Sequence, residues 1–276
     1  MKIGNREFDG NRHCYIMGIL NVTPDSFSDG GQFLEMDQAL FRVEEMVREG
    51  ADIIDIGGES TRPGHVQISE AEETERVVPV IEKIRSRFDI PLSLDTYKAA
   101  VAKEGIAAGV DLINDIWGLK YDGEMAGLIA EAGISCCLMH NRTEAVYQSF
   151  ITDVINDLRE SISLAEKAGI ERDRIMVDPG IGFGKSREQN LEIIAKLGKL
   201  HVLGYPLLLG CSRKSVIGLT LDLPVQERLE GTLATTVAGV FQGCSFVRVH
   251  DVKENVRAVK MAEAIREYAG PVWTAE

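Results

Sequence analysis

The sequence of 276 residues is 45% hydrophobic and carries a formal net charge of −13, from 43 acidic and 30 basic side chains. That negative field opposes nucleic acids and anionic membrane surfaces, so we expect neither as a partner. No apolar run reaches the roughly 18 residues of a transmembrane helix, and residues 1–10 lack the apolar core of a signal peptide. We therefore expect a cytoplasmic protein whose five cysteines are reduced, buried thiols.

Short apolar runs and amphipathic helical patterns alternate eight times along the chain. The predicted strands cover residues 15–21, 53–56, 91–95, 110–115, 134–139, 175–178, 207–210 and 245–250. The predicted helices cover residues 37–50, 71–88, a stretch ending near 109, 123–132, 152–168, a stretch after 186, two stretches within 215–243, and a last one after 251. Helical spacing predicts inward-facing side chains that include Leu40, Val43, Val47, Leu191, Ile194, Leu197, Val252, Val256, Val259, Ala262 and Ile265.

Eight β→α alternations and a length near the ~250 residues typical of the fold predict a (β/α)₈ TIM barrel. No linker-like or low-complexity tract interrupts the chain, so we expect one domain over residues 1–276, with residues 1–14 as a hairpin that closes the bottom of the barrel. The alternative is an open doubly wound sheet, which should carry a dinucleotide or phosphate fingerprint. Residues 178–186 (DPGIGFGKS) only approximate one, because Pro179 and Lys185 stand where glycines are required.

Polar side chains follow most of the predicted strands. They are Asn21, Asp95, Asn114 and Asp115, His140, Asp178, Lys214, Arg248 and His250. In a barrel the carboxyl ends of all strands meet on one face, where active sites lie. The acceptors suit a polar heterocycle, and the cations, with Arg62, suit a phosphate or carboxylate. The sequence thus indicates a substrate with a heterocyclic half and an anionic half.

Each of these residues also has a structural interpretation. A single strand-end Asp can merely cap a loop, His140 can be a hydrogen-bonded core residue, and Lys185 can be a solvated surface charge. The five histidines lack metal-ligand spacing, so we do not expect a zinc site built by the protein.

Several longer motifs resemble those of the dihydropteroate synthases. Residues 17–31 (MGILNVTPDSFSDGG) and 55–64 (DIGGESTRPG) resemble the two opening signatures of that family. Further similar segments are residues 94–96, 113–115, 178–185, 212–215, 227–231 and 248–252. The family fold is a (β/α)₈ barrel with its active site at the C-terminal ends of the strands, in agreement with the count of alternations.

The resemblance implies a reaction in which 6-hydroxymethyl-7,8-dihydropterin diphosphate and p-aminobenzoate give 7,8-dihydropteroate and pyrophosphate, with Mg²⁺ as cofactor. By matching position, the pterin is assigned to Asp95, Asn114, Asp178 and Lys214. The diphosphate is assigned to Asn21, Thr61, Arg62, Arg248 and His250, with Asn21 also holding the metal. The aminobenzoate is assigned to Thr61, Arg62, Pro63, Phe183, Lys214 and Ser215, and a mobile first loop carries Phe27 and Asp29. The residues assigned to the chemical step are Asp178, Lys214 and Arg248.

The resemblance also implies a sulfonamide target and a homodimer formed through the late helices. Because an aromatic amine is a weak, already neutral nucleophile, we expect a dissociative, SN1-like substitution driven by stabilisation of the leaving pyrophosphate. One segment departs from the family: residues 141–147 (NRTEAVY) stand where a loop with Gly and Pro is common. Two alternatives are a pterin-binding methyltransferase domain that partners a corrinoid protein and a non-catalytic barrel subunit.

Overall fold

The computed structural model describes residues 1–22, 31–59 and 67–269, with side chains of the second range from residue 36 and of the third up to residue 268. Its strands are β1 Lys2–Ile3, β2 Arg6–Glu7, β3 Tyr15–Asn21, β4 Ile53–Gly57, β5 Leu92–Asp95, β6 Leu112–Asp115, β7 Ser135–Met139, β8 Ile175–Asp178, β9 Leu208–Leu209 and β10 Phe246–Val249. Its α-helices are α1 Gly31–Glu49, α2 Glu70–Arg85, α3 Ala99–Ala108, α4 Met125–Ala132, α5 Phe150–Ala168, α6 Arg187–Ala195, α7 Ser215–Leu221, α8 Leu229–Phe241 and α9 Val252–Ala269. Among the described helices, none is both long and apolar enough to cross a membrane.

The strands from β3 to β10 form one parallel sheet that closes on itself. Each of β3 to β7 pairs with the next strand in the chain, β9 pairs with β10, and β10 pairs with β3. A parallel bridge between Val177 and Leu207 joins β8 to the segment before β9 and completes the ring. The predicted (β/α)₈ barrel is therefore confirmed, and the carboxyl ends of all eight strands share one face.

Local chemistry sets the ends of several helices. The Ser69 side chain accepts a hydrogen bond from the backbone N–H of Glu72, and acidic residues in the first turn of α2 with basic residues in its last turn complement the helix dipole. α3, α4 and α5 each end at a glycine in the left-handed region, at positions 109, 133 and 169. α1 begins at Gly31, six residues before the predicted start at residue 37.

Three side chains predicted to face the core are instead exposed. Val47, Leu191 and Ile265 are 37%, 39% and 45% exposed, whereas Met46 and Ile193 are fully buried. Adjacent apolar residues on a helix lie about 100° apart, and helical spacing alone does not decide which of them faces inward. The tilt at which each helix packs on the barrel determines which of the two side chains faces inward.

The first residues of the chain close the amino-terminal end of the barrel, as predicted. β1 and β2 form an antiparallel hairpin, and Ile3 and Phe8 from this segment are buried. They pack against an apolar layer made of Met17, Ile53, Leu112, Cys137, Met176, Leu208 and Phe246. The Phe8 ring lies 4.8 Å from that of Tyr15 and 5.7 Å from that of Phe246. The interior is thus filled at this end, and a ligand must enter from the other.

We expect Phe8→Ala to reduce the free energy of unfolding by about 3–5 kcal/mol, because it removes a buried ring and leaves a cavity. Phe41→Ala is the matched control, since that side chain is 65% exposed, and it should cost about 0.5 kcal/mol or less. Denaturant titration of both variants measures the difference. Equal losses would show that the hairpin contributes little to the stability of the barrel.

Candidate active site

A two-residue repeat along the strands places the polar site directly above the apolar layer. Successive side chains of a strand alternate between the two faces of the sheet, so residues i and i+2 both point into the barrel. The inward pairs, each an apolar residue followed by a site residue, are Ile53 and Asp55, Leu112 and Asn114, Met176 and Asp178, Leu208 and Gly210, and Phe246 and Arg248. The barrel interior is therefore apolar towards the hairpin and polar towards the opposite mouth.

A buried guanidinium bridges two carboxylates at the centre of this polar layer. Arg248 donates from Nε to Oδ2 of Asp55 at 2.5 Å and from Nη2 to Oδ2 of Asp95 at 2.6 Å. Asp55 is fully buried and also accepts from Oγ of Ser93 and from Nδ2 of Asn114, at 2.5 and 3.3 Å. The structure thus brings together Asp95, Asn114 and Arg248, which the sequence indicated.

Asp55 is a residue that the sequence analysis did not assign to the site. A signal was present, because an aspartate in the apolar run of β4 is expensive to bury without a partner. What the sequence did not provide was the identity of that partner, which lies 193 residues away.

One carboxylate oxygen of the site has no partner within the described part of the chain. Oδ1 of Asp95 is buried and accepts no hydrogen bond there. Burial raises the pKa of the Asp95 carboxyl to about 7, although the Arg248 guanidinium acts in the opposite direction. Buried polar atoms are almost always satisfied in folded proteins, so an unsatisfied acceptor at the mouth of a barrel indicates a place for a ligand donor.

A second carboxylate faces a lysine across Gly210. A Cβ atom built on Gly210 would lie 3.6 Å from Oδ2 of Asp178, 3.7 Å from Nζ of Lys214 and 3.9 Å from Cβ of Arg248. The absence of a side chain there keeps the space between these three groups open. Burial raises the pKa of Asp178 and lowers that of Lys214, and each opposes the shift of the other by favouring its charged form.

The predicted aminobenzoate side adjoins this pair. Lys214 donates from Nζ to the carbonyl oxygen of Ile181 at 2.6 Å, and Nζ lies 4.8 Å from the centroid of the Phe183 ring. Phe183 is half-buried, and Ser215 is exposed at the first residue of α7. A half-exposed ring beside an ammonium group suits a flat, anionic aromatic ligand.

The predicted diphosphate side lies on the neighbouring strands β3 and β10. Oδ1 of Asn21 and the Asp95 side chain both border Gly57, 3.8 and 3.7 Å from a Cβ atom built there. Just beyond β10, Nδ1 of His250 lies 2.9 Å from Oγ of Ser212. Five assigned residues lie outside the described residues: Thr61 and Arg62 of the diphosphate and aminobenzoate sides, Pro63 of the aminobenzoate side, and Phe27 and Asp29 of the first loop.

The described side chains could bind only a metal ion whose other ligands are mostly water and substrate oxygens. Among them, no group of three or more His, Cys, Asp and Glu residues could hold a metal ion. Asn21 offers one neutral amide oxygen near the mouth. Mg²⁺ usually keeps several waters and binds one or two protein oxygens together with substrate phosphates, so this donor set is compatible with a magnesium ion shared with a diphosphate.

Two other strand-end residues have structural roles. Asp115 accepts from the backbone N–H groups of Trp117 and Leu119 at 2.8 and 2.7 Å, so it caps the loop after β6. His140 is buried between the side chains of Asp157 and Lys185. The interpretation of Lys185 as a solvated surface charge is therefore wrong, because its ammonium group is enclosed by hydrogen-bond acceptors.

Comparisons with known proteins agree with this geometry. Residues 17–250 match the family model described as pterin binding enzyme. A dihydropteroate synthase of Clostridium beijerinckii is 58% identical over 266 residues, covering 96% of this chain and 99% of the relative. A crystal structure of the dihydropteroate synthase of Clostridium difficile with pteroic acid has a TM-score of 0.92 and 50% identity, covering 94% and 99% of the two chains.

A second crystal structure, of the Yersinia pestis dihydropteroate synthase with a sulfonamide drug, has a TM-score of 0.90 and 44% identity, covering 97% of this chain and 99% of the other. Each of these similarities covers more than nine-tenths of the chain at a sequence identity of 44% or more, and the two crystal structures share the fold. The chain therefore belongs to the pterin-binding enzymes and, among them, to the dihydropteroate synthases, the transferases of folate biosynthesis.

Proposed function

We propose that the chain joins 6-hydroxymethyl-7,8-dihydropterin diphosphate to p-aminobenzoate, with release of pyrophosphate, through the residues described above. The observation that carries the assignment is Oδ1 of Asp95, which is buried and has no hydrogen-bond partner among the described residues, in the same polar layer as Asp178 and Lys214. A similar enzyme was crystallised with pteroic acid, which contains both the pterin and the aminobenzoate halves. Another was crystallised with a sulfonamide, which supports a sulfonamide-sensitive aminobenzoate site here.

The pterin is proposed to lie between Asp95, Asn114, Asp178 and Lys214. Carboxylates accept hydrogen bonds and ammonium groups only donate them. The amino and ring N–H groups of the pterin would therefore face the two aspartates, and its carbonyl or a ring nitrogen would face Lys214. Asn114 donates to Asp55, so its amide oxygen is positioned as a further acceptor.

The diphosphate is proposed to meet Asn21, Arg248 and His250, together with Thr61 and Arg62. Arg248 has five N–H donors, and its two carboxylate partners occupy two of them. It can therefore bind a phosphate oxygen without giving up either aspartate. Asn21 would hold Mg²⁺ on this side of the site, and a bound metal ion would supply positive charge to the leaving pyrophosphate.

The arrangement favours a dissociative substitution. His140 has both ring nitrogens engaged, so it is not available as a base for the amine. The buried carboxylates of Asp95 and Asp178 would instead stabilise positive charge that develops on the pterin as pyrophosphate leaves. The aminobenzoate is proposed to be held by Phe183, Lys214 and Ser215, with Pro63. Its amine would then face the methylene carbon of the pterin from which pyrophosphate leaves.

We also propose that the protein is cytoplasmic and acts as a homodimer. All five cysteines are free and buried, as a reducing compartment allows. The late helices expose large apolar side chains, among them Leu219 on α7 and Met261 on α9, which are 64% and 61% exposed. Such side chains on α7 and α9, which both pack against α8, are a suitable contact between two copies of the chain.

The proposed reaction is tested by mixing the chain with both substrates and Mg²⁺ and measuring pyrophosphate and dihydropteroate. Asp178→Asn should weaken pterin binding at least about tenfold, because a charge-assisted buried hydrogen bond is worth about 1.5–3 kcal/mol. Asp173→Asn is the control, since that side chain is about half exposed and pairs with Lys2 on the surface. Pterin binding that is unchanged in Asp178→Asn by calorimetry would contradict the assignment.

The proposed order of events predicts how aminobenzoate binds. If pyrophosphate and the metal complete its site, aminobenzoate should bind at least about tenfold more weakly to the free enzyme than to the enzyme saturated with Mg²⁺ and pyrophosphate. Calorimetric titration with and without Mg²⁺ and pyrophosphate makes the comparison. Equal affinities would rule out this order while leaving the overall reaction intact.

The homodimer predicts a sedimenting mass of twice 30.3 kDa at micromolar concentration. Leu219→Glu or Met261→Glu should shift the protein towards the monomer, since each places a charge in the proposed contact. Phe41→Glu, on the exposed face of α1, is the control and should leave the mass unchanged. A wild-type mass of one chain would contradict the proposal.

A further inference from the structure

The backbone of residues 180–184, the loop that carries Phe183, is held by side chains from several elements. Lys185 donates from Nζ to the carbonyl oxygens of Gly180 and Phe183, at 2.9 and 3.0 Å. The remaining contacts are Lys214 to the Ile181 carbonyl at 2.6 Å, the Gly182 N–H to Oδ1 of Asn190 at 2.6 Å, and Tyr147 to the Gly184 carbonyl at 2.6 Å. Every residue of the loop is thus held by at least one side-chain hydrogen bond.

Lys185 is itself held from the opposite side by a buried histidine. Its Nζ lies 2.7 Å from Nδ1 of His140, whose Nε2 lies 3.0 Å from Oδ2 of Asp157. Because Nε2 faces a carboxylate, it carries the ring proton, and Nδ1 is left to accept from the ammonium group. Arg142 pairs with the same aspartate through Nε and Nη2, at 2.6 and 3.1 Å. Lys185 therefore donates to three acceptors, which match the three N–H bonds of an ammonium group.

The glycines of the loop are required by close approach. Gly180 has φ +69°, and a Cβ atom on it would lie 1.9 Å from the carbonyl oxygen of His140. Gly184 has φ +53°, and a Cβ atom there would lie 2.4 Å from the carbonyl oxygen of Arg142. The resemblance of this glycine-rich segment to a nucleotide-binding loop thus reflects tight packing against the end of β7 and the segment that follows it.

We infer that Lys185 is a positioning residue that, through the backbone of residues 180–184, sets Phe183 and Lys214 for the aminobenzoate. This inference rests on the proposed function and deepens it. Lys185 holds the Phe183 carbonyl directly, and the Ile181 carbonyl that orients Lys214 lies between its two backbone partners. Of the four side chains assigned to the pterin, three project from β5, β6 and β8, and only Lys214 donates a hydrogen bond to this loop, so the pterin half depends less on Lys185.

The segment 141–147, which departs from the family pattern, belongs to the same arrangement. Tyr147 reaches the Gly184 carbonyl, and the Arg142 guanidinium lies 4.4 Å from the Tyr147 ring while it pairs with Asp157. This chain therefore holds the active-site loop with a tyrosine from that segment, and the ring of that tyrosine is contacted by an arginine of the same segment. Tyr147→Phe removes a single hydrogen bond and keeps the ring, so it probes the arrangement with little risk to the fold.

The inference is tested with Lys185→Met, which keeps most of the side-chain length and removes the ammonium group. We expect its KM for aminobenzoate to rise at least about tenfold, while its kcat and its KM for the pterin diphosphate change less than about threefold. Tyr147→Phe should raise the aminobenzoate KM about two- to fivefold. Lys196→Met, which removes a surface lysine paired with Glu192, is the control and should change neither constant. An aminobenzoate KM within twofold of wild type in both Lys185→Met and Tyr147→Phe, or equal increases for the two substrates, would overturn the inference.

Hydrogen exchange separates failure of this inference from failure of the proposed function. The N–H groups of Gly180 and Gly182 are bonded to Asp178 and Asn190. Their exchange should accelerate at least about tenfold in Lys185→Met and stay unchanged in Lys196→Met, whatever reaction the enzyme catalyses. Unchanged exchange in Lys185→Met would show that the lysine does not hold the loop, even in an active synthase.

Discussion

The pairing of Arg248 with Asp55 and Asp95 is the interaction on which the rest of the site depends. Three charged groups are removed from water inside the barrel, and such burial is tolerated only when the charges satisfy one another with good geometry. The guanidinium does this by bridging two carboxylates with separate nitrogens. Asn114 and Ser93 also donate to Asp55. Oδ1 of Asp95 has no hydrogen-bond partner within the part of the chain that the structure describes.

The barrel tolerates these three buried charges because its other end is apolar and filled. Ile3 and Phe8 close the interior against a layer of inward-facing hydrophobic residues, one from each of seven strands. Two residues further along most of these strands, the inward positions become polar or glycine. The alternation of side chains that builds the core therefore also positions the site. Core and site residues are separated by two positions along each of these strands.

Electrostatics inside the site differ from those of the whole molecule. The chain carries a net charge of −13, which repels anionic ligands at long range. Inside the site, Lys214 and Arg248 supply local positive charge next to the carboxylates of Asp178 and Asp95. The two kinds of charge lie side by side, since Arg248 pairs with Asp95 and Lys214 faces Asp178 across Gly210. A ligand in the site therefore meets both a cation and a carboxylate.

Local patterns in the sequence determined the elements of the barrel and the polar residues at the strand ends. Alternation and helical periodicity depend on near neighbours in the chain, so the eight strands and the positions of Asp95, Asn114 and Asp178 at strand ends could be predicted from them. The tertiary structure alone decided that Asp55 pairs with Arg248, that Lys185 is enclosed by His140 and two carbonyl groups, and that Met46 rather than Val47 faces the core. Each of these outcomes depends on a contact between distant segments or on the tilt of a helix against the sheet, and neither leaves a periodic trace in the amino-acid sequence.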